Sequence, residues 1–446
     1  MHRSIHLFLL ALFFAGPVDR PVDGHDGPHR HSSEHADHSH SHAPGEIDSS
    51  DPIPRDPSLR WWRGNLHTHS FWSDGNDFPE MIAEWYRTKG YHFLALSDHN
   101  VLSEGDRWIK QSVIEKRGGK DVLAKYRQRF GGGWVETRRG DSDEAPEVRL
   151  KPLSEFGPLM QQRGQFIMIP GEEISDRVEG KPVHMNATNL QEPILPLGGE
   201  TVAEAISNNL RSVQEQAKRT GRTIMMHLNH PNFGYAVTAE DLAQVIEERF
   251  FEVYNGHPSI NHLGDEDHPS VERIWDVANA MRLSLFDADP LLGIATDDSH
   301  QYHGRPGGSH PGRGWVMVRS RYLTPEHLIL AMRRGDFYAS SGVHLSKLEF
   351  DSAARTLSLQ IDALDGENHK TELIATRRPD ASGTMPSADK IGIVLAEKVG
   401  TDVVFEIPDD VLYVRAVITS DQSPRDPSFE GQFKQAWTQP VGWRKP

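Results

Sequence analysis

The chain has 446 residues, an apolar content of 37% and a formal net charge of −16. That length allows roughly two or three domains, and the acidic balance argues against a general nucleic-acid or anionic-membrane surface, leaving room only for a local basic patch. Because cysteine is absent, disulfides, thiolate metal sites and cysteine nucleophiles are excluded, and any transition-metal site must be built from His, Asp and Glu, which suits zinc, manganese, iron or magnesium.

Residues 1–22 read as a secretory signal, with one basic residue ahead of an apolar run from Ile5 to Ala15 that is too short to span a bilayer. Cleavage after Ala15 or Gly16 would leave a bulky phenylalanine two residues earlier, so an uncleaved N-terminal anchor is the alternative. No later segment is apolar enough to cross a membrane, and export to the periplasm or the exterior is the expectation. Residues 23–58 form a low-complexity linker with seven histidines between His25 and His42. It is expected to be disordered, serving as a tether or as a loose collector of divalent metal. None of its histidines is taken as an active-site ligand.

From residue 59 to 344 short apolar strands, polar turns and amphipathic helices alternate, the rhythm of an α/β domain with parallel strands. Helices are expected over 78–90, 201–221, 238–250 and 271–281, and strands over 91–97, 223–228 and 292–296. Residues 104–165 interrupt the rhythm and read as an insertion after a strand. From Leu345 to the end the segments are short, β-branched and separated by turn signals, which predicts a separate antiparallel β domain over 345–446.

Position is more informative than number for the ionisable residues. Nearly every expected strand of the α/β region ends in a potential metal ligand: His67 and His69, Asp98 and His99, Glu172 and Glu173, His184, His227 and His230, then Asp297, Asp298 and His300. The C-terminal ends of parallel strands form the active-site face of barrels and open sheets. A lone histidine beside a strand is ordinarily a hydrogen-bonded residue, but six strands ending this way point to a catalytic site open to water or substrate. Around nine donors exceed the needs of one ion and suggest roughly two or three, an arrangement suited to in-line attack of an activated water on a phosphate ester.

The ordered motifs "HTHSFWSDG", "ALSDHN", "IPGEEIS", "VHMNA", "NHPN", "EVYNG" and "ATDDSH" resemble the PHP (polymerase and histidinol phosphatase) family over about residues 60–344. The resemblance implies a metal-dependent phosphoesterase on an α/β fold, a distorted (βα)7 TIM-like barrel, here followed by a smaller antiparallel β-sandwich. It also implies a ligand set. His67, His69 and Asp298 would hold a first ion, Glu173 would bridge to a second completed by His184 and His230, and Asp74, His99 and His300 would hold a third. The ions would be zinc, manganese or iron. An aspartate at position 74, where some members carry histidine, shifts preference toward manganese or iron. The family's proline-glycine spacing selects Glu173 over Glu172, and its His-Pro turn selects His230 over His227.

Beside these ligands, Asp98 and Asp297 are expected to orient imidazoles or a water. Arg177 and Arg305 are candidate phosphate clamps, because guanidinium grips phosphate oxygens in a bidentate way. His303 is a candidate general acid or phosphate donor, and Arg127, Arg129, Arg138 and Arg139 of the insertion form a candidate lid. The expected partner is a small-molecule phosphoester, since a long polyanion favours a basic groove. The alternatives are hydrolysis of a non-phosphate bond such as an amide at a similar cluster, or a metal-binding or sensing protein that uses the His-rich linker.

Overall fold

The chain's structure is a computed structural model that describes residues 56–139, 146–304 and 306–443. The expected signal, the linker as far as residue 55 and Arg305 lie outside the described residues. All described residues belong to one contact unit spanning residues 53–446.

The α/β region begins with β1 (Arg60–Asn65), α1 (Pro79–Thr88) and β2 (Phe93–Leu96). The insertion follows as β3 (Arg107–Lys110), α2 (Gln111–Arg117), α3 (Val122–Phe130), β4 (Thr137–Arg138), β5 (Glu147–Leu150) and α4 (Leu153–Met160). Then come β6 (Ile167–Val178), β7 (Lys181–Thr188), α5 (Val202–Thr220), β8 (Met225–Leu228), α6 (Ala239–Gln244) and β9 (Phe250–Asn255). The region closes with α7 (Val271–Leu285), β10 (Leu292–Thr296), β11 (Trp315–Ser320), α8 (Pro325–Arg334) and β12 (Phe337–Ser340). The C-terminal strands are β13 (Leu345–Asp351), β14 (Thr356–Ile361), β15 (His369–Arg377), β16 (Ile393–Val399), β17 (Asp402–Glu406), β18 (Val411–Ser420) and β19 (Gln435–Thr438).

Local chemistry accounts for the helix ends. Pro79 opens α1, where its missing N–H costs no hydrogen bond. The Thr201 side chain caps α5 through Glu204 N, and Gly221 ends it in the left-handed conformation. The helix expected over 238–250 stops at Gln244 instead. Buried Arg282 takes the carbonyls of Val245 and Ile246 at 2.9 and 2.7 Å. The Glu248 carboxylate accepts from the amides of Arg249 and Phe250 at 2.8 and 2.9 Å, so the chain turns into β9. No described helix is long and apolar enough to cross a membrane.

The strands from β1 to β12 are mixed rather than all parallel. β1, β2 and β6 pair parallel, as do β8, β9 and β10, but β7 runs antiparallel to both β6 and β8. The reversal comes from a two-residue turn at Glu179 and Gly180, both with positive φ (48° and 84°), the geometry that suits a tight hairpin. The full order is β10-β9-β8-β7-β6-β2-β1-β11-β12-β19-β18-β15-β16. No closing strand pair is found among the described residues. The sheet nevertheless curls, because Leu292 and Ile294 of β10 share one core with Trp62 of β1, Val316 and Val318 of β11 and Phe337 of β12. The outer edge of β10 is satisfied by a side chain: Gln439 donates to Gly293 O at 2.9 Å and accepts from Gly293 N at 2.8 Å.

The strands after Leu345 form two facing antiparallel sheets, β13-β14-β17 and the β19-β18-β15-β16 end of the large sheet. Leu357, Leu359, Val403 and Phe405 pack there against Leu373, Val414, Ala416 and Ile418. The second of these sheets is continuous with the α/β region through β12 and β19, with Ala339 opposite Trp437. A buried ion pair adds a clamp: Arg415 of β18 grips both oxygens of Asp276 on α7 at 2.9 and 2.7 Å and Glu272 at 2.9 Å. Removing one partner of such a pair typically costs about 3–5 kcal/mol.

The insertion has its own small sheet, β3-β5-β4, and a core of Ile109, Ile114, Tyr126 and Val148 that reaches Phe71, Trp72 and Phe78. It docks on α1 through a buried carboxyl: Glu80 accepts from Tyr126 OH at 2.6 Å and Trp134 Nε1 at 3.1 Å. Burial pushes Glu80 up to about 7 from its ordinary 4.5 despite those hydrogen bonds. Between these values the folded chain holds a proton that the unfolded chain releases. This group's contribution therefore favours folding at low pH and is lost as pH rises through about 7. Glu80→Gln keeps both acceptor contacts and removes the titration. Thermal or denaturant unfolding should show the variant close to wild type near pH 5 and more stable by up to about 3 kcal/mol near pH 8. A constant difference across that range would refute the assignment.

Candidate metal centre

Alternation along the inward-facing strands sets the centre on an apolar floor. Every second residue of a strand shares a face. On β2 and its extension that face runs from Phe93 and Ala95 in the floor to His99, and on β6 from Ile169 to Glu173. On β9 it runs from Phe250 to Glu252, and on β10 with its following turn from Leu292 and Ile294 to Asp298. His184 reaches the same place from the start of β7, which its antiparallel direction brings to the upper end of the sheet, opposite Ser175.

All nine residues expected as ligands are brought together in four overlapping groups: His67, His69 and Glu173; His67, His230 and Asp298; His69, Asp74, His99 and His300; His99, Glu173 and His184. His184 and His230 thus fall in different groups rather than closing one site with Glu173, although each lies near that carboxylate, at 3.0 and 3.5 Å. His67 Nε2 is 3.2 Å from Asp298 Oδ1 and 3.4 Å from Glu173 Oε1. His69 Nε2 is 3.2 Å from Asp298 Oδ1 and 3.4 Å from Glu173 Oε2. On the accessible side, exposed Asp74 lies 3.4 Å from His300 Nε2 and 3.5 Å from His99 Nε2.

The donors fit a metal. His67 Nε2 and His69 Nε2 are buried and make no hydrogen bond, and buried Glu173 Oε2 has His99 Nδ1 beside it at 2.7 Å. Donors about 2.0–2.2 Å from a shared ion at tetrahedral angles lie roughly 3.3–3.6 Å apart, close to the spacing of these atoms. The electrostatics run the same way. Burial alone would lower His67, but Asp298, Glu252 and Glu173 outweigh it and raise the imidazole well above its ordinary value. Burial, with His300 and His99 nearby, takes His69 down to about 4. His99 rises to about 11 against its burial, through Glu173 and Asp74. Glu173 and Asp298 stay well below the usual carboxylate range despite burial, because imidazoles face them.

The surrounding residues fix each ligand. Glu252, which the sequence reading passed over inside "EVYNG", accepts from His67 Nδ1 at 2.7 Å and leaves Nε2 for the cluster. It also accepts from His230 N and Thr296 Oγ1 at 2.8 and 2.6 Å. Its signal is one acid inside the otherwise apolar run "FFEVY". Asn229 donates to Glu173 Oε1 at 2.8 Å, and His300 Nδ1 donates to the Asp298 carbonyl at 2.9 Å. His230 and Asp298 have positive φ, 22° and 47°, a conformation that surrounding structure must hold. Their amides are held by Glu252 Oε2 at 2.8 Å and His67 O at 3.0 Å. A side chain at Gly75 would come within 2.5 Å of the His69 backbone, so the loop carrying Asp74 folds this tightly only with glycine there.

Other expectations need correction. Asp98 meets no imidazole among the contacts of the described residues: its oxygens take Ser70 N at 2.8 Å, Ser70 Oγ at 2.7 Å and Ser73 Oγ at 2.6 Å, pinning the loop after His69. Asp297 likewise takes Tyr86 OH at 2.7 Å and the amides of Gly312, Arg313 and Gly314 at 2.8, 2.6 and 2.7 Å. Both are loop anchors. His303 faces Asp77 at 3.4 Å and joins none of the ligand groups. Arg177 is exposed at the β6–β7 hairpin and donates to Gly180 O at 3.4 Å. Arg129 and Arg138 pair with Glu84 and Glu147, whereas Arg117, another arginine of the insertion, donates to Ser73 O in the loop after His69. Glu172 points to the other face of β6, accepting from Ile194 N at 2.5 Å, and burial pushes it up to about 8. His227 sits below the cluster, wholly buried, 3.7 Å from Glu252.

No family model and no curated protein matches the chain. Among solved structures it is similar to a two-domain protein from Bacteroides vulgatus described by prediction as containing a PHP-like metal-dependent phosphoesterase. The identity is 14%, 85% of this chain and 94% of that one are covered, and the TM-score is 0.36. A protein from Bifidobacterium adolescentis, assigned by inference to the metal-dependent phosphoesterases, shares 16% identity over 56% of this chain and 91% of its own, with a TM-score of 0.28. At these identities and TM-scores the likenesses name no activity for this chain.

His69→Ala should purify with about one metal ion fewer per chain than wild type by elemental analysis, because His69 belongs to two of the four groups. Unchanged metal content would contradict the cluster. Glu252→Gln should retain the fold and weaken metal affinity about 10–100-fold in chelator competition, the usual cost of losing a partner behind a ligating histidine. Wild-type affinity in that variant would remove Glu252 from the centre.

Proposed function

We propose that the chain is a multi-metal-dependent phosphoesterase of the PHP type acting on a small phosphate ester. The observation that carries this reading is that the buried, unbonded nitrogens His67 Nε2 and His69 Nε2 face the buried carboxylates of Glu173 and Asp298 at metal-ligand spacing. Bound divalent ions would supply Lewis acidity toward phosphoryl oxygens and an acidified water. Glu173, shared by two groups, would hold the buried and the accessible parts of the centre together. Asp74, His99 and His300 would complete the accessible part. Zinc, manganese or iron suits this nitrogen and oxygen donor set.

The chain's own residues set the geometry for such a reaction. Glu252 keeps His67 in one tautomer with Nε2 inward, and Asp98 with Asp297 locks the loops that carry His69 and Asp298. The half-buried imidazoles of His99, His184 and His300 and the exposed Asp74 lie on the side from which a substrate enters, while His67, His69 and Glu173 are enclosed. The curled sheet fits an incompletely closed barrel of the kind the sequence resemblance implies. The acidic overall charge favours a small ester over a polynucleotide.

The test is phosphate release from a panel of monoesters and diesters, set against an amide panel, with manganese or zinc added to the full chain. We expect release from at least one ester class, abolished by chelator and restored by metal. Amide cleavage without release of phosphate from any ester would overturn the proposal.

A further inference from the structure

The loop after β9 carries a histidine that belongs to none of the ligand groups and is built into the site as firmly as the ligands are. His257 follows Gly256, where a side chain would come within 2.6 Å of Asp297 O and 2.9 Å of Arg313 Cβ, so the chain is pressed against the loop that carries Asp298. Gly256 O accepts from Arg313 Nη1 at 2.8 Å and from Ser428 Oγ at 3.1 Å. Arg313 is itself held by Asp426 at 3.0 Å. Two residues of the C-terminal loop thus fix where His257 begins.

Its own contacts fix the ring. His257 N donates to Asn255 Oδ1 at 2.8 Å, and the Asn255 amide donates to Asp298 Oδ2 at 3.1 Å and to Glu252 Oε2 at 2.8 Å. One side-chain amide therefore links His257 to a proposed ligand and to the carboxylate behind another. The imidazole is half-buried and stands edge-on to His300, with ring centres 5.7 Å apart. Ser259 N donates to its Nδ1 at 3.1 Å. An acceptor at Nδ1 places the proton of a neutral ring on Nε2. Burial lowers this histidine, and it lies close enough to Asp298, His300, His230 and His67 to feel their charges.

We infer that His257 is a substrate-binding residue whose Nε2–H donates a hydrogen bond to a phosphoryl oxygen of the ester. The assignment rests on the phosphoesterase reading and adds to it a donor that is not a metal ligand. It also gives the C-terminal loop a part in the site, through Asp426 and Ser428. Of the expected phosphate clamps, Arg177 is spent on Gly180 O at the hairpin and Arg305 lies outside the described residues, while Arg313 beside this loop is engaged by Gly256 O and Asp426.

The experiment measures inorganic phosphate binding to the metal-loaded full chain by calorimetry, alongside metal content, for wild type and three variants. His257→Ala should weaken phosphate binding about tenfold or more, the scale of one hydrogen bond to a charged group, with metal content unchanged. In His257→Gln the side-chain amide reaches the Nε2 position and should restore most of the affinity. In His257→Asn it sits at the Nδ1 position and should behave like alanine. Equal phosphate binding by wild type and His257→Ala would overturn the assignment of His257 alone, and loss of metal from that variant would also overturn it by making His257 a ligand. If metal-loaded wild type binds no phosphate, the phosphoesterase reading and this inference fall together.

Discussion

Two carboxylates, Glu173 and Asp298, are buried at the centre of the molecule with five imidazole nitrogens within 3.5 Å of them and, among the described residues, no lysine or arginine paired to either. Burying an ionised carboxylate is costly unless positive charge or hydrogen bonds compensate it. Here the compensation falls on histidines, several of which are pushed toward the protonated state by the same carboxylates. Divalent cations would satisfy that demand more completely, because they would take the facing nitrogen and oxygen atoms as ligands at once. Metal binding would for this reason be coupled to the stability of the upper end of the sheet.

The scaffold is arranged around that demand. Apolar residues from β1, β2, β6, β8, β9, β10, β11 and β12 fill the floor, and the next inward positions on several strands are the candidate ligands. Loops above the strands are fixed by groups with no part in metal binding: Asp98 on the loop after His69, Asp297 on the loop at Gly312–Gly314, Tyr302 OH on His69 O at 2.7 Å. The positive-φ backbones of His230 and Asp298 are held in turn by Glu252 Oε2 and His67 O at their amides. The insertion supports one side of the loop through Arg117, and the loop between β18 and β19 supports the other side of the centre through Asp426 and Ser428. The β strands after Leu345 are thus structurally tied to the site.

Much of the centre was legible in the sequence because its ligands recur at the ends of apolar runs, and chance rarely repeats that placement strand after strand. Choosing Glu173 over Glu172 needed the motif spacing, and strand alternation puts only Glu173 on the face of the other expected ligands, because the two side chains leave opposite faces of β6. Glu252 was hidden because a single acid in an apolar strand carries no periodic signal. His257 was hidden because a loop histidine has no pattern at all. The direction of β7 was missed although the Glu179-Gly180 pair marks a tight turn, since strand composition does not encode strand direction. Asp98 and Asp297 were misread for a different reason. Sitting beside a ligand in sequence sends the side chain to the other side of the backbone, where loop amides and hydroxyls take it. Pairing of β12 with β19, about a hundred residues apart in sequence, depends on tertiary packing and leaves no local trace.

The central claim, that the buried carboxylates and imidazoles hold a cluster of divalent ions, is tested most directly by anomalous scattering from crystals of the full chain grown with manganese or zinc. The account predicts more than one anomalous peak, each enclosed by donors from His67, His69, Asp74, His99, Glu173, His184, His230, Asp298 and His300. Absence of peaks among these residues, or peaks confined to other surfaces of the protein, would contradict it.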